Sequence, residues 1–304
     1  MQRQRTAPPQ HRTAEGIALV LGACTMFGSV PVMARLAYDH GAGTFTFLSG
    51  RYVLAGLALG IVVLLQDGGR QPFARPFPWV TTCVAAAATL IANVGYFAAV
   101  QREEVTRVAP LVYLFPVLVP LAMAALGRER LRPPVLVAAA VGVVGSILAV
   151  TSGFALPHDV TAALLALMAT AGNTVFIIVV ASALRSGSWA AIATVMFGLV
   201  SAVLVPVAIV SGSGVPDARG WLFVALAGVA ATAVPYGVWM AGLRLAGESR
   251  TAALAVWEPT VTVILAIVVL DEVIDGWQAV GIALVLGSLV ALGRRADAHA
   301  PPPA

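Results

Sequence analysis

The sequence predicts an all-α integral membrane protein: ten transmembrane helices arranged as two inverted five-helix repeats. Three observations predict it. First, 60% of the 304 residues are hydrophobic and 11% are charged, with a mean hydropathy of +0.92. A water-soluble domain carries about a quarter charged residues. Second, apolar runs of roughly 20 residues recur from end to end, and each can cross a hydrocarbon core of about 30 Å as a helix. Third, residues 89–131 and 232–274 align without a gap at an offset of 143. Seven pairs are identical: Thr89/Thr232, Ala98/Ala241, Arg107/Arg250, Ala109/Ala252, Leu111/Leu254, Pro116/Pro259 and Glu129/Glu272. A repeat spaced by almost half the chain makes the protein a duplication.

Residues 1–13 are polar, with Pro8-Pro9 and three arginines, and read as a disordered cytoplasmic tail. Residues 296–304 read the same way. Between the tails, spans are expected at about 15–36, 44–65, 78–100, 106–126, 134–151, 160–184, 189–210, 221–243, 250–270 and 276–293. The first repeat unit is 14–151 and the second 152–295. Backbone groups in lipid must bond internally, so the spans are helices. The longest connections, 66–77 and 211–220, are rich in Gly, Pro and polar residues.

With the amino terminus inside, thirteen arginines fall on the inner side and four on the outer: Arg35, Arg102, Arg107 and Arg219. Positive charge stays cytoplasmic, so both termini are predicted there, in a multi-pass protein of the cell membrane. Five helices per repeat is odd, so the second unit is inverted. The loops agree. Gly127-Arg128-Glu129-Arg130-Leu131-Arg132 carries three arginines, whereas its counterpart Leu270-Asp271-Glu272-Val273-Ile274-Asp275 carries none and three acids. Inverted repeats are a common plan for secondary transporters, with a substrate site between the halves.

The pI near 9.6 does not indicate nucleic acid, because the arginines sit in short loops where they set orientation. Cys24 and Cys83 both fall inside apolar spans, so no disulfide framework is expected. Trp79, Trp189, Trp221 and Trp277 stand at span ends and read as interfacial anchors. Gly56 and Gly60 form a GxxxG pair that would serve packing within the bundle or a homodimer face.

Glu258 is the sharpest candidate for function. It lies about eight residues into the ninth span, roughly 10 Å from the inner boundary. A charged acid at that depth costs about 2.5–3.5 kcal/mol, and its cheapest escape is protonation. That makes it the proton-coupling candidate and a partner for a cationic group; the bland reading is a packing role. Pro259 would free the Ala255 carbonyl to face a cavity. Arg51, about eight residues into the second span, would hold a carboxylate or, alternatively, snorkel to the headgroups. The other cavity candidates are Ser29, Asn93, Tyr96, Asn173, Tyr236 and Trp239, with Thr25, Thr174 and Trp257 beside them. Asn93 pairs with Tyr236, and Tyr96 with Trp239, under the repeat. Pro31, Pro110, Pro116, Pro120, Pro206, Pro235 and Pro259 fall within spans and would kink or hinge them. Spans five and ten hold almost nothing polar and read as scaffold.

The paired stretches 116–145 and 258–287 resemble the EamA repeat of the drug/metabolite transporter superfamily. In that pattern a proline-containing apolar helix ends in a Gly-Glu or Asp-Glu turn, as at Gly127-Arg128-Glu129 and Asp271-Glu272, and a glycine-containing apolar helix follows. Arg51 in Ser49-Gly50-Arg51-Tyr52 is similar to an arginine often found in the family's second helix. The chain departs from the pattern at Met26-Phe27, where a tryptophan is common, and at Phe115, where the second repeat has Glu258. The resemblance covers about residues 16–293 and implies export of amino acids, other metabolites or toxic cations.

The expected function is secondary transport: export of small organic metabolites such as amino acids by alternating access, with proton coupling through Glu258. A multidrug or toxic-cation exporter is the alternative, and a non-transporting receptor or subunit the distant one. No catalytic, cofactor or metal site is expected: there is no Walker-type loop, no H-E-x-x-H, and no histidine within a span. Zwitterions would suit Arg51 with Glu258, and hydrophobic cations Glu258 with Tyr236, Trp239 and Trp257. Anionic sugars or phosphates rank last, with one arginine to meet them.

Overall fold

The computed structural model describes residues 10–67, 77–100, 102–103, 105–130, 133–151, 157–270 and 275–297. Most of both predicted tails and the Asp271-Glu272 turn lie outside these residues. Among the described residues every regular element is a helix. Nine stretches are long and apolar enough to cross a membrane: Thr13–Asp39, Thr44–Leu65, Trp79–Ala99, Arg107–Ala125, Pro133–Thr151, Val160–Ala183, Trp189–Val210, Ala218–Ala246 and Glu248–Val269. A further apolar helix, Gly276–Leu292, falls below that length. The protein is a multi-pass membrane protein.

Four of the crossings are not single helices. The first is α1 (Gln10–Phe27) followed by α2 (Val30–Asp39). Next come α3 (Thr44–Asp67) and α4 (Trp79–Val100), both continuous. The fourth crossing divides into α5 (Val105–Val112) and α6 (Phe115–Ala125). Helices α7 (Pro133–Thr151), α8 (Val160–Ala183) and α9 (Trp189–Val210) are continuous. The eighth crossing runs from α10 (Ala218–Gly228) through a π-helical turn, Val229–Ala233, into α11 (Val234–Ala246). The ninth divides into α12 (Glu248–Leu254) and α13 (Trp257–Leu270), and α14 (Gly276–Asp297) ends the bundle.

Proline accounts for the interruptions. Pro31, Pro116, Pro235 and Pro259 each stand at the first turn after a break or after the π turn, where a missing N–H costs least. Pro110, Pro120 and Pro206 lie inside helices that continue. The breaks in α5/α6 and α12/α13 coincide under the repeat to within a residue. Four carbonyls at these breaks find donors from outside the regular helical ladder. Thr170 Oγ1 donates to the carbonyls of Leu111 and Val112, and Ser146 Oγ donates to that of Val256 at 3.0 Å. The Ala255 carbonyl does not face a cavity unpaired, as the sequence suggested: it accepts from the Glu258 N–H at 3.1 Å. Breaking the helix at 255–256 lets Glu258, rather than Pro259, supply the donor.

The main packing pairs are α4 on α8, α7 on α14, α3 on α9 and α1 on α11. Small residues let these backbones meet. A Cβ on Gly172 would lie 2.8 Å from the Ala88 carbonyl oxygen. Gly56 and Gly60 face Phe197 and Thr194 of α9, so the GxxxG pair serves the interior of the bundle. Trp79, Trp221 and Trp277 are exposed. Trp189, at the start of α9, is half-buried, with its ring over Gly237, where a Cβ would come within 2.9 Å.

The loops sort onto two ends. At one end, the Gly43 N–H donates to the Gly214 carbonyl, and His40 meets Asp217 at 3.0 Å. The same end holds Glu103, which accepts the N–H groups of His158 and Asp159 at 2.9 Å each. Those bonds, the Asp159 N–H foremost, hold the Glu103 carboxyl below its usual range despite some desolvation. At the other end, Arg185 pairs with Glu248, and Ser249 donates to Glu129. Each group joins only connections that the predicted alternation places on one side.

Candidate functional site

The site forms where the broken crossings meet α3. Arg51, half-buried on α3, donates from Nε to Thr232 Oγ1 at 2.7 Å. Thr232 sits in the π-helical turn, fully buried, and donates in turn to the Ala227 carbonyl at 2.7 Å. The π turn carries one residue more per loop of hydrogen bonding, which swings Thr232 toward α3. Close approach follows from Gly228, where a Cβ would come within 2.9 Å of the Arg51 carbonyl oxygen. The guanidinium lies 4.9 Å from the centre of the Tyr52 ring. Its two terminal nitrogens meet no carboxylate among the described residues, so Arg51 is held in place without being neutralised.

Glu258 opens α13, half-buried, with no ion-pair or hydrogen-bond partner for its carboxyl among the described residues. Its backbone is fixed. Thr262 Oγ1 bonds both the Glu258 carbonyl and the Gly28 carbonyl, at 3.2 and 2.9 Å. Gly28 is the break in the first crossing, and a Cβ there would lie 2.8 Å from the Glu258 carbonyl oxygen. Two broken crossings are thereby docked edge to edge. Trp257 Nε1 adds a bond to Thr25 Oγ1 at 2.9 Å.

Glu258 and Arg51 make no ion pair but lie within electrostatic range of each other. Glu258 is also in range of Cys24, Tyr113 and Tyr236. Arg51 is in range of Tyr38 and Tyr236. Tyr96 is in range of Tyr38 and Tyr113, and Tyr52 of Tyr236. Four of the chain's five tyrosines, Tyr38, Tyr52, Tyr113 and Tyr236, therefore lie near one or both of these charges.

Beside the charges lies an aromatic cluster centred on Tyr236. Its ring meets Phe197 at 4.7 Å and Phe27 at 5.2 Å, both edge-on. Phe176 stacks on Trp239 at 5.7 Å, and each is within 6.3 Å of Tyr236. Edge-on and offset pairs are the favoured aromatic geometries.

The other candidates fall into two groups. Tyr236 and Trp239 join the cluster just described, whereas Tyr96 stands apart from it, packed edge-on against Phe97 at 5.1 Å. Ser29 caps the first-crossing break, donating to the Met26 carbonyl at 2.7 Å. Asn93 spends its amide on the Thr89 carbonyl of its own helix at 2.8 Å, and Thr174 likewise bonds Thr170. Asn173 is half-buried on α8, one residue after the Gly172 contact with α4. Thr232, Tyr52, Tyr113, Phe27, Phe176 and Phe197 join the site without having been singled out. Thr232 did carry a signal, as one of the seven identities. Ser146 shows that α7 is more than scaffold.

The family profile of the EamA-like transporters matches residues 14–151 and again residues 160–294. An "uncharacterized transporter" from Archaeoglobus fulgidus is 28% identical over 273 residues, covering 90% of this chain and 94% of its own. A crystal structure of a protein superposes with a TM-score of 0.81 at 19% identity, covering 93% of this chain and 99% of that one; it shares the fold. With both halves matched, the chain belongs to the EamA-like transporter family of membrane transporters.

Proposed function

We propose that the chain is a secondary transporter that exports small organic metabolites, amino acids foremost, by alternating access between two inverted five-helix halves. The observation that carries this is the pairing of Arg51 and Glu258 without an ion pair. Two opposite charges, each fixed by its own backbone or side-chain bond, stay within electrostatic range of one another. A zwitterion supplies the missing partners, with its carboxylate on the Arg51 terminal nitrogens and its ammonium on Glu258. The tyrosines and the Tyr236 cluster form the walls. A carboxyl that exchanges a proton inside the membrane also offers a route for coupling export to the proton gradient.

The inverted ten-helix plan rests on paired contacts. A slightly shorter connection in the second half puts Met196 in the place of Arg51 and Phe197 in the place of Tyr52. Thr89 Oγ1 meets Met196 Sδ at 3.9 Å, as its mate Thr232 meets Arg51. Tyr52 and Phe197 pack on each other at 5.4 Å, as residues beside a two-fold axis do. The excess of arginine on one side of the predicted alternation supports a cell-membrane protein with both termini in the cytoplasm.

A toxic-cation exporter is the second reading, favoured by the Tyr236–Phe176–Trp239 cluster near Glu258, which suits cation–π contact. Mass spectrometry of culture medium separates the readings. Cells overproducing the wild type should enrich a zwitterionic metabolite, and cells producing Glu258→Gln at matched levels should not. Enrichment by both would remove Glu258 from the mechanism. No enrichment by either, with resistance to quaternary ammonium compounds, would favour the second reading.

A further inference from the structure

The two halves repeat in sequence, but the structure does not close its two ends alike. At the end bearing Glu129 and Glu248, α12 packs on α6. The repeat makes α5 the mate of α12, and α13 the mate of α6. Helices α5 and α13 form no comparable contact among the described residues. The identical pair Leu111/Leu254 records the difference. Leu254 on α12 is 1% exposed, whereas Leu111 on α5 is partly exposed.

Polar ties follow the same division. At the α12 end they cross between crossings that the other end leaves apart. Ser249 Oγ of the ninth crossing donates to Glu129 Oε2, beyond the fourth. Arg185, after the sixth, pairs with Glu248 at 3.5 Å. Arg244 of the eighth donates to the carbonyls of Leu184 and Gly187 at 2.6 and 3.1 Å. At the other end the ties stay in two separate sets. His40, Gly43 and Thr46 join Asp217, Gly214 and Ser213. Arg102 and Glu103 join His158 and Asp159.

We infer that the structure is the state closed at the Glu129/Glu248 end and open toward the His40/His158 end, and that Glu129, Arg244 and Glu248 are gate residues that hold the closed end shut. The chemistry suits a gate. Each tie is a charge-assisted bond at the bundle's rim, worth enough to bias two states and weak enough to break within a cycle. Gly247, at φ 83° between Arg244 and Glu248, is the left-handed turn that brings both into place. The gate role rests on the alternating-access reading; the closed and open ends do not.

The test is thiol labelling in vesicles of known sidedness, with Cys24 and Cys83 replaced by serine. An impermeant maleimide should reach Leu111→Cys from the His40/His158 side and leave Leu254→Cys unlabelled from either side. Ala253→Cys, also fully buried, gives a second reporter should the leucine change disturb folding. Adding Glu129→Ala and Glu248→Ala should raise labelling of the α12 reporters from their own side about tenfold, the shift that loss of a charge-assisted bond allows. Labelling of α12 but not Leu111→Cys, or equal labelling of both, would overturn the assignment of state. Unchanged α12 labelling in the double alanine variant would overturn the gate. None of these readings depends on the solute carried, so a failure of the export reading would show in the medium and leave this pattern intact.

Discussion

Arg51 and Thr232 are joined by a 2.7 Å hydrogen bond, from guanidinium Nε to threonine hydroxyl. The equivalent threonine, Thr89, meets Met196 instead. One half of a duplicated protein thus presents a cation where the other presents a thioether. A π-helical turn just before Pro235 makes the charged version possible, by carrying Thr232 to α3.

Thr232→Val should release Arg51 to swing toward the headgroups. A hydrogen bond to a charged group contributes about 1.5–3 kcal/mol, so export should fall by roughly tenfold or more at low solute concentration. Thr232→Ser, which keeps the hydroxyl, should restore it. Initial export rates at matched expression are the check.

Gly28→Ala should disrupt the docking of α1 on α13. The new Cβ would sit 2.8 Å from the Glu258 carbonyl oxygen and from Val261 Cβ, and overpacking against backbone costs about 1–3 kcal/mol. Gly198→Ala meets nothing within 4 Å and should be silent. Thermal midpoints of the purified proteins in one detergent compare them.

Ser146→Ala strips the Val256 carbonyl of its donor at the ninth-crossing break. Leaving a buried acceptor unmet costs about 1–3 kcal/mol. Ser288→Ala should cost less, because Ser288 bonds Val285 in its own helix. The same thermal assay reads the difference.

Acid should loosen the clasp around Glu103. Its folded carboxyl is held low by the Asp159 and His158 N–H groups. Its stabilising effect is therefore complete above the ordinary glutamate value, about 4.3, and is lost as pH falls through the lower folded value. Glu103→Gln should flatten thermal stability between pH 5 and 3 by that group's share, and a pH series of melting curves measures it.

Much of the fold was legible because a bilayer leaves the chain few options. Runs of twenty apolar residues have to be helices, and Pro116 and Pro259, at matching places in two repeats, announce the two breaks. The π turn was not legible. Thr232 and Pro235 were both visible, but whether a proline kinks a helix, as at Pro235, or is absorbed, as at Pro206, depends on which neighbour meets the freed backbone. The candidate site was legible in its two charges and less so in the aromatic residues around them. An unpaired Glu258 and Arg51 stand out against apolar spans, whereas Phe176 and Phe197 look like any core phenylalanine until the helices are assembled. Asn93 illustrates the converse, because a mid-span amide can be spent on its own helix.

The most direct test is counterflow in proteoliposomes. The purified protein would be loaded with a mixture of unlabelled amino acids and offered the same mixture labelled. The account predicts exchange of at least one zwitterionic amino acid by the wild type, reduced to about a tenth or less by Arg51→Gln and by Glu258→Gln, each of which removes one charged partner. Wild-type rates in both variants, or exchange by the wild type of quaternary ammonium compounds but no amino acid, would contradict it.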